Sequence, residues 1–101
     1  MGYPVYLKYP LTEKLVDEIS DELSRALSKF PTWPTDPLHA VSVLGEEYGE
    51  LQQAILQSVY EPGKKTPDDV RNEAIQTAAM AIRFAISLGD YEYKQSPQHK
   101  Q

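Results

Sequence analysis

Apolar residues recur at steps of three and four in three stretches of this chain, and each stretch is bounded by residues that start or stop helices. In the first, Leu11, Leu15, Ile19, Leu23, Ala26, Leu27 and Phe30 form one stripe, the period of a helix with one covered face. Thr12 is its expected N-cap and Lys29 its end, while Glu13, Asp17, Asp21 and Glu22 are expected to look outward as a solvated face. The second stretch reads as helix from about Leu38 to Tyr60. Asp36 supplies the cap and Pro37 the first helical position, where a missing N–H costs nothing. The third runs from Pro67 to about Leu88, opened by Thr66-Pro67-Asp68-Asp69 and closed by Gly89. A proline-punctuated connector, Phe30 to Pro37, separates the first two, and Glu61-Pro62-Gly63-Lys64-Lys65 forms the turn between the second and third.

The expected fold is therefore all-α: a small bundle of three main helices plus an N-terminal arm, completed by oligomerisation, in a single domain spanning 1–101. Its core covers about 12–89. Residues 1–10, with three Tyr and two Pro, suit an extended arm, because proline interrupts a helix. Residues 90–101 read as a polar tail that frays or drapes over a partner.

The charges on the second and third helices do not oppose the apolar stripe as a wet face would. At roughly 100° per residue, Ala40, Val43, Leu44, Leu51, Ala54 and Ile55 all fall within about 80° of Glu47. Glu50 lies about 60° to one side and Glu46 at the edge, about 100° away. The third helix repeats the arrangement: Val70, Thr77, Met80, Ala81, Phe84 and Leu88 surround Glu73, with Gln76 about 60° aside. A carboxylate on a face that must be covered is costly unless it is protonated, paired or bound to a cation. Packed antiparallel, the two helices would bring Glu47, Glu50, Glu73 and Gln76 together as an oxygen-lined cluster of the kind that forms metal sites in bundles.

Hard oxygen ligands favour Mg²⁺, or Mn²⁺, over zinc or copper. Mg²⁺ keeps several waters and binds through a few carboxylates plus substrate phosphates, which makes a nucleotide polyphosphate the expected ligand. Three further residues are candidates for substrate binding. Arg83, about two turns beyond Gln76, either reaches a phosphate or makes a surface ion pair. His39 either touches a phosphate or metal or is an exposed or capping group, and Trp33 either seals the bundle end or stacks on a base. Gly45 and Gly49 each cost about 1 kcal/mol relative to Ala inside a helix, which suggests either a close approach by a helix or ligand or simple tolerance of the cost. Ala74, Ala78, Ala79, Ala81 and Ala85 keep the third helix slim, as suits a central helix or a dimer seam. Lys64 and Lys65 stand near enough to meet an anion, or are simply solvated.

Composition narrows the partners. With 101 residues and a formal net charge of −5, the chain lacks the clustered cations that binding a nucleic-acid backbone requires. It has no cysteine, so disulfides, zinc thiolates and cysteine nucleophiles are excluded. No apolar run approaches the roughly 20 residues of a membrane span and the amino terminus lacks a signal pattern, so a soluble cytoplasmic protein with no membrane or nucleic-acid partner is expected.

The run Glu46-Glu47-Tyr48-Gly49-Glu50-Leu51, followed after a helix-turn-helix by Glu73-Ala74-Ile75-Gln76-Thr77-Ala78, resembles MazG-like members of the all-α NTP pyrophosphohydrolase superfamily. That family's pattern is ExxE, a variable spacer, then ExxD. The resemblance covers residues 36–88, about half the chain. It implies a helical dimer or tetramer and a Mg²⁺-dependent cut of a nucleoside triphosphate into monophosphate and pyrophosphate, a house-cleaning role. Glu47 and Glu50 match the first pair, Glu73 opens the second, and Glu46 matches a frequent extra acid. Gln76 stands where the pattern has Asp: its carbonyl can ligate Mg²⁺, but it brings no charge and cannot act as a base. Two rival readings are a related phosphohydrolase for dUTP or phosphoribosyl-ATP, and a catalytically weak helical oligomer that binds a nucleotide or a protein.

Overall fold

The computed structural model describes residues 12–93 and shows three α-helices: α1 (Glu13–Lys29), α2 (Pro37–Tyr60) and α3 (Pro67–Ile86). There is no strand among the described residues. The expected arm at 1–10 and the tail beyond residue 93 lie outside them.

Local chemistry sets each start. The Thr12 hydroxyl accepts from the Leu15 amide, the Asp36 carboxylate from Leu38, and Thr66 exchanges hydrogen bonds with Asp69 in a reciprocal capping box. Each satisfies an amide that the first helical turn would otherwise leave unpaired. The end of α3 differs from expectation. It stops at Ile86, where the Ser87 amide turns back to the Arg83 and Ala85 carbonyls, and a 3₁₀ turn covers Leu88–Asp90. Gly89 therefore lies within that turn and does not form a left-handed stop. Among the described residues only Gly63 has positive φ, at 86°, and it reverses the chain between α2 and α3 at no steric cost.

The helices are arranged around α3. The Thr77 hydroxyl meets the Glu47 carbonyl near mid-helix, and the short 61–66 turn joins the two helix ends, so α2 and α3 run antiparallel. α1 touches α3 at a constant offset: Glu18 pairs with Arg71, Ala26 packs with Ala79, and the Phe30 carbonyl accepts from Arg83. A constant offset means that α1 runs parallel to α3. Among the described residues the backbones of α1 and α2 do not come within 8 Å of each other, and both dock on α3.

The core is small, built from Ala26, Ala79 and Met80 with Ile19, Leu23, Trp33 and Leu44 packed against it. Small residues sit where helices cross: Ala40 and Ala79 are fully buried and Ala54 nearly so. The alanine stripe of α3 divides, since Ala74, Ala81 and Ala85 face solvent. Ile55 and Leu88, expected on the covered faces, are exposed. No group of the chain approaches Gly45 or Gly49 within 4 Å of where a Cβ would stand, so the close approach expected there is not made within the described residues.

The segment after α3 is anchored at its start. Tyr91 is buried, stacks against Phe84 with ring centroids 5.0 Å apart, and accepts from the Trp33 indole at 2.8 Å. The Glu92 amide donates to the Thr35 carbonyl at 2.8 Å. Residues 91 and 92 thus close the connector against α3 instead of fraying.

Candidate metal centre

α2 and α3 place three carboxylates together. Oxygens of Glu47, Glu50 and Glu73 all lie within 4.8 Å of one another. Both helices contribute because Glu47 and Glu73 lie inside the covered stripes, which antiparallel packing sets face to face, whereas Glu50 is exposed at their edge. The Thr77 hydroxyl lies 2.8 Å from the Glu73 carbonyl and 3.2 Å from the Glu47 carbonyl, so its single proton is shared across the helix pair at the level of the cluster.

Electrostatics make this arrangement costly for the protein alone. Glu47 Oε2 and Glu73 Oε1 are buried and have no hydrogen-bond partner among the described residues. Burial pushes the Glu47 carboxyl above its ordinary value, and the negative charges of Glu50, Glu73, Glu22 and Glu46 push it further. Crowded carboxylates with unpaired oxygens are what a divalent cation relieves, and an all-oxygen donor set fits Mg²⁺ or Mn²⁺. The residues therefore fit such an ion.

Two cavities flank the cluster. One, of about 320 Å³, is walled on its apolar side by Phe30, Trp33, Val43 and Met80, and on its polar side it includes Glu46, Glu47, Gln76 and Arg83. The other, of about 430 Å³, lies toward the α2–α3 turn and is polar. Gln76 is half-buried and lines the first cavity beside Glu47. Glu46 is exposed and stands outside the three-carboxylate group, at the wall of the same cavity.

Arg83 is only 3% exposed. Its Nη2 donates to the Phe30 carbonyl at 2.7 Å and the Thr32 carbonyl at 3.3 Å, and the guanidinium stacks on Trp33 at 4.7 Å. Burial lowers its pKa from the usual guanidinium value. It makes no ion pair among the described residues, so the surface ion pair does not form. Arg83 clamps the connector and at the same time borders the aromatic cavity. Trp33, held through its indole N–H to Tyr91, belongs both to the packed end of the bundle and to that cavity wall. His39 is exposed near the start of α2 and lines neither cavity.

Glu22 was expected to look outward, and the structure corrects this. Its side chain is largely covered, Arg25 binds it at 3.0 Å through Nε, and it lines the aromatic cavity with Glu47 and Gln76. The signal was its position four residues before Ala26 and three after Ile19, which puts it beside the stripe. Only the docking of α3 shows which side becomes a wall.

Comparison of the chain with models of known families, with curated proteins and with solved structures finds no match.

Proposed function

We propose that the protein is a Mg²⁺-dependent nucleoside triphosphate pyrophosphohydrolase of MazG-like type, working as a homo-oligomer. The observation that carries this reading is the convergence of Glu47, Glu50 and Glu73 between two helices, with two of their oxygens buried and unpaired. Glu47, Glu50 and Glu73 would hold Mg²⁺, with the Gln76 carbonyl as a neutral neighbour. The ion supplies charge neutralisation for phosphates and acidity for water.

The chain supplies the rest. The aromatic cavity excludes water around a base and sugar, with Trp33 as a stacking surface. Arg83, fixed by the connector carbonyls, presents its remaining N–H donors to acceptors on the substrate. In the reaction a water oxygen bonds to the α-phosphorus and the bond to the α,β-bridging oxygen breaks. The electron pair leaves on pyrophosphate and the proton passes to a carboxylate. Glu46, outside the cluster but on the same wall, is placed to take it.

The test is pyrophosphate release from a panel of nucleoside triphosphates with Mg²⁺. Turnover on at least one, reduced by at least about a hundredfold in Glu47→Gln, supports the reading, whereas no turnover on any member of a broad panel overturns it. A second reading, a helical oligomer that binds nucleotide without turnover, is favoured by Gln76, which brings no charge to the cluster. A large gain in activity on Gln76→Asp would show that the natural chain carries a weakened site.

A further inference from the structure

The three carboxylates form a divide between two cavities of opposite character. Glu47 belongs to the aromatic cavity, whereas Glu50 and Glu73 belong to the one toward the α2–α3 turn. In that second cavity the only apolar side chain is Ala54, and the remaining lining is Gln53, Gln57, Lys64 and Lys65. A base has nothing to stack on there, but a phosphate has two ammonium groups and two amides.

Resting on the pyrophosphohydrolase reading, we propose that this cavity receives the pyrophosphate leaving group through Lys64 and Lys65. The substrate then lies across the carboxylates with its nucleoside in the aromatic cavity.

Charge and geometry both support this orientation. When the bond between the α-phosphorus and the bridging oxygen breaks, the electron pair goes to the pyrophosphate, so negative charge grows on the leaving side, where preorganised cations are most effective. Lys65 is half-buried at the helix turn and makes no ion pair among the described residues. Among the described residues Lys64 pairs only with Glu61, at 3.2 Å and with both side chains more than half exposed, an interaction weak enough to exchange for a phosphate. Gly63 sets the path of the turn that carries both lysines. Gln53 and Gln57, one helical turn apart on α2, line the same space. On the aromatic side, Arg25 is engaged by Glu22 on α1 and Arg83 by the connector carbonyls.

The test is calorimetric titration of the full chain with inorganic pyrophosphate in Mg²⁺ buffer. It compares wild type with the Lys64→Gln/Lys65→Gln and Lys64→Arg/Lys65→Arg double variants, with helical content checked by circular dichroism. The glutamine pair should weaken pyrophosphate binding by about tenfold or more, the arginine pair should restore it, and affinity for a nucleoside monophosphate should not change. Unchanged pyrophosphate affinity in the glutamine pair overturns the inference, as does equal weakening for the monophosphate. Because binding requires no turnover, the two claims fail separately. Lysine-dependent pyrophosphate binding without triphosphate cleavage overturns the activity alone, and Glu47-dependent cleavage with lysine-independent pyrophosphate binding overturns only the lysine assignment.

Discussion

Burial and four neighbouring carboxylates act on Glu47 in the same direction, raising its pKa in the folded chain. In the unfolded chain the group keeps its ordinary value of 4.5. Protons therefore bind the native state more tightly, and stability is highest below the unfolded value and is lost as pH rises through the native one. Without divalent ions the protein should melt at a higher temperature near pH 5 than near pH 8, and Glu47→Gln should flatten that dependence. Thermal melts in EDTA at several pH values check both. Adding Mg²⁺ at pH 8 should raise the wild-type melting temperature and leave a Glu47→Gln/Glu73→Gln variant unmoved. These acids were legible from sequence because the anomaly lies within single helices: a wheel drawn around Glu47 or Glu73 already shows apolar residues on both sides. Glu22 was not, since its place depends on where another helix docks.

At the level of elements, the starts of all three helices followed from short-range rules, because Thr12, Asp36 and Thr66 each satisfy an amide within three residues. The end of α3 did not. Gly89 offered a stop, but Tyr91 packing on Phe84 draws the chain into a 3₁₀ turn two residues earlier, and tertiary packing overrides a weak local preference. The glycines of α2 are a second case. Among the described residues nothing lies within 4 Å of a Cβ placed at Gly45 or Gly49, so Gly45→Ala and Gly49→Ala should each stabilise the isolated chain by about 1 kcal/mol. Urea unfolding at low concentration, where any assembly has dissociated, measures this. If the same substitutions weaken self-association, a second copy supplies the close approach that one copy lacks.

Across the whole molecule, α3 docks to one side of the apolar stripe on α1. Ala26 is buried while Leu27 and Phe30 remain exposed, so the covered face is rotated from the stripe's centre toward the side of Glu18 and Glu22. α2 also leaves apolar residues uncovered: Leu38, Val41, Tyr48, Ile55 and Val59 are exposed, and Val41, Tyr48 and Ile55 repeat at the seven-residue spacing of a helix-pairing seam. No helix of the described residues is long and apolar enough to cross a membrane. Exposed apolar surface on this scale marks an interaction face, in line with the proposed homo-oligomer. Sedimentation should show more than one copy per particle, and Ile55→Asp should shift the distribution toward the monomer with helical content retained. The sequence could set helices and their inner acids because both repeat with the helical period. It could not set which flank of α1 meets α3, because the stripe is wider than one neighbour covers.

The constant offset between α1 and α3 also bears on the order of assembly. All three acids belong to a helical hairpin whose Thr77–Glu47 contact closes only 30 residues, whereas α1 is held across 53. Loop-closure entropy favours the nearer pairing by about 0.5 kcal/mol, so the hairpin is expected to form first and gather mutually repelling carboxylates before α1 arrives, an order that refolding kinetics of hairpin and α1 variants would check. An early-bound divalent ion would then act on the folding nucleus itself, speeding refolding rather than only slowing unfolding.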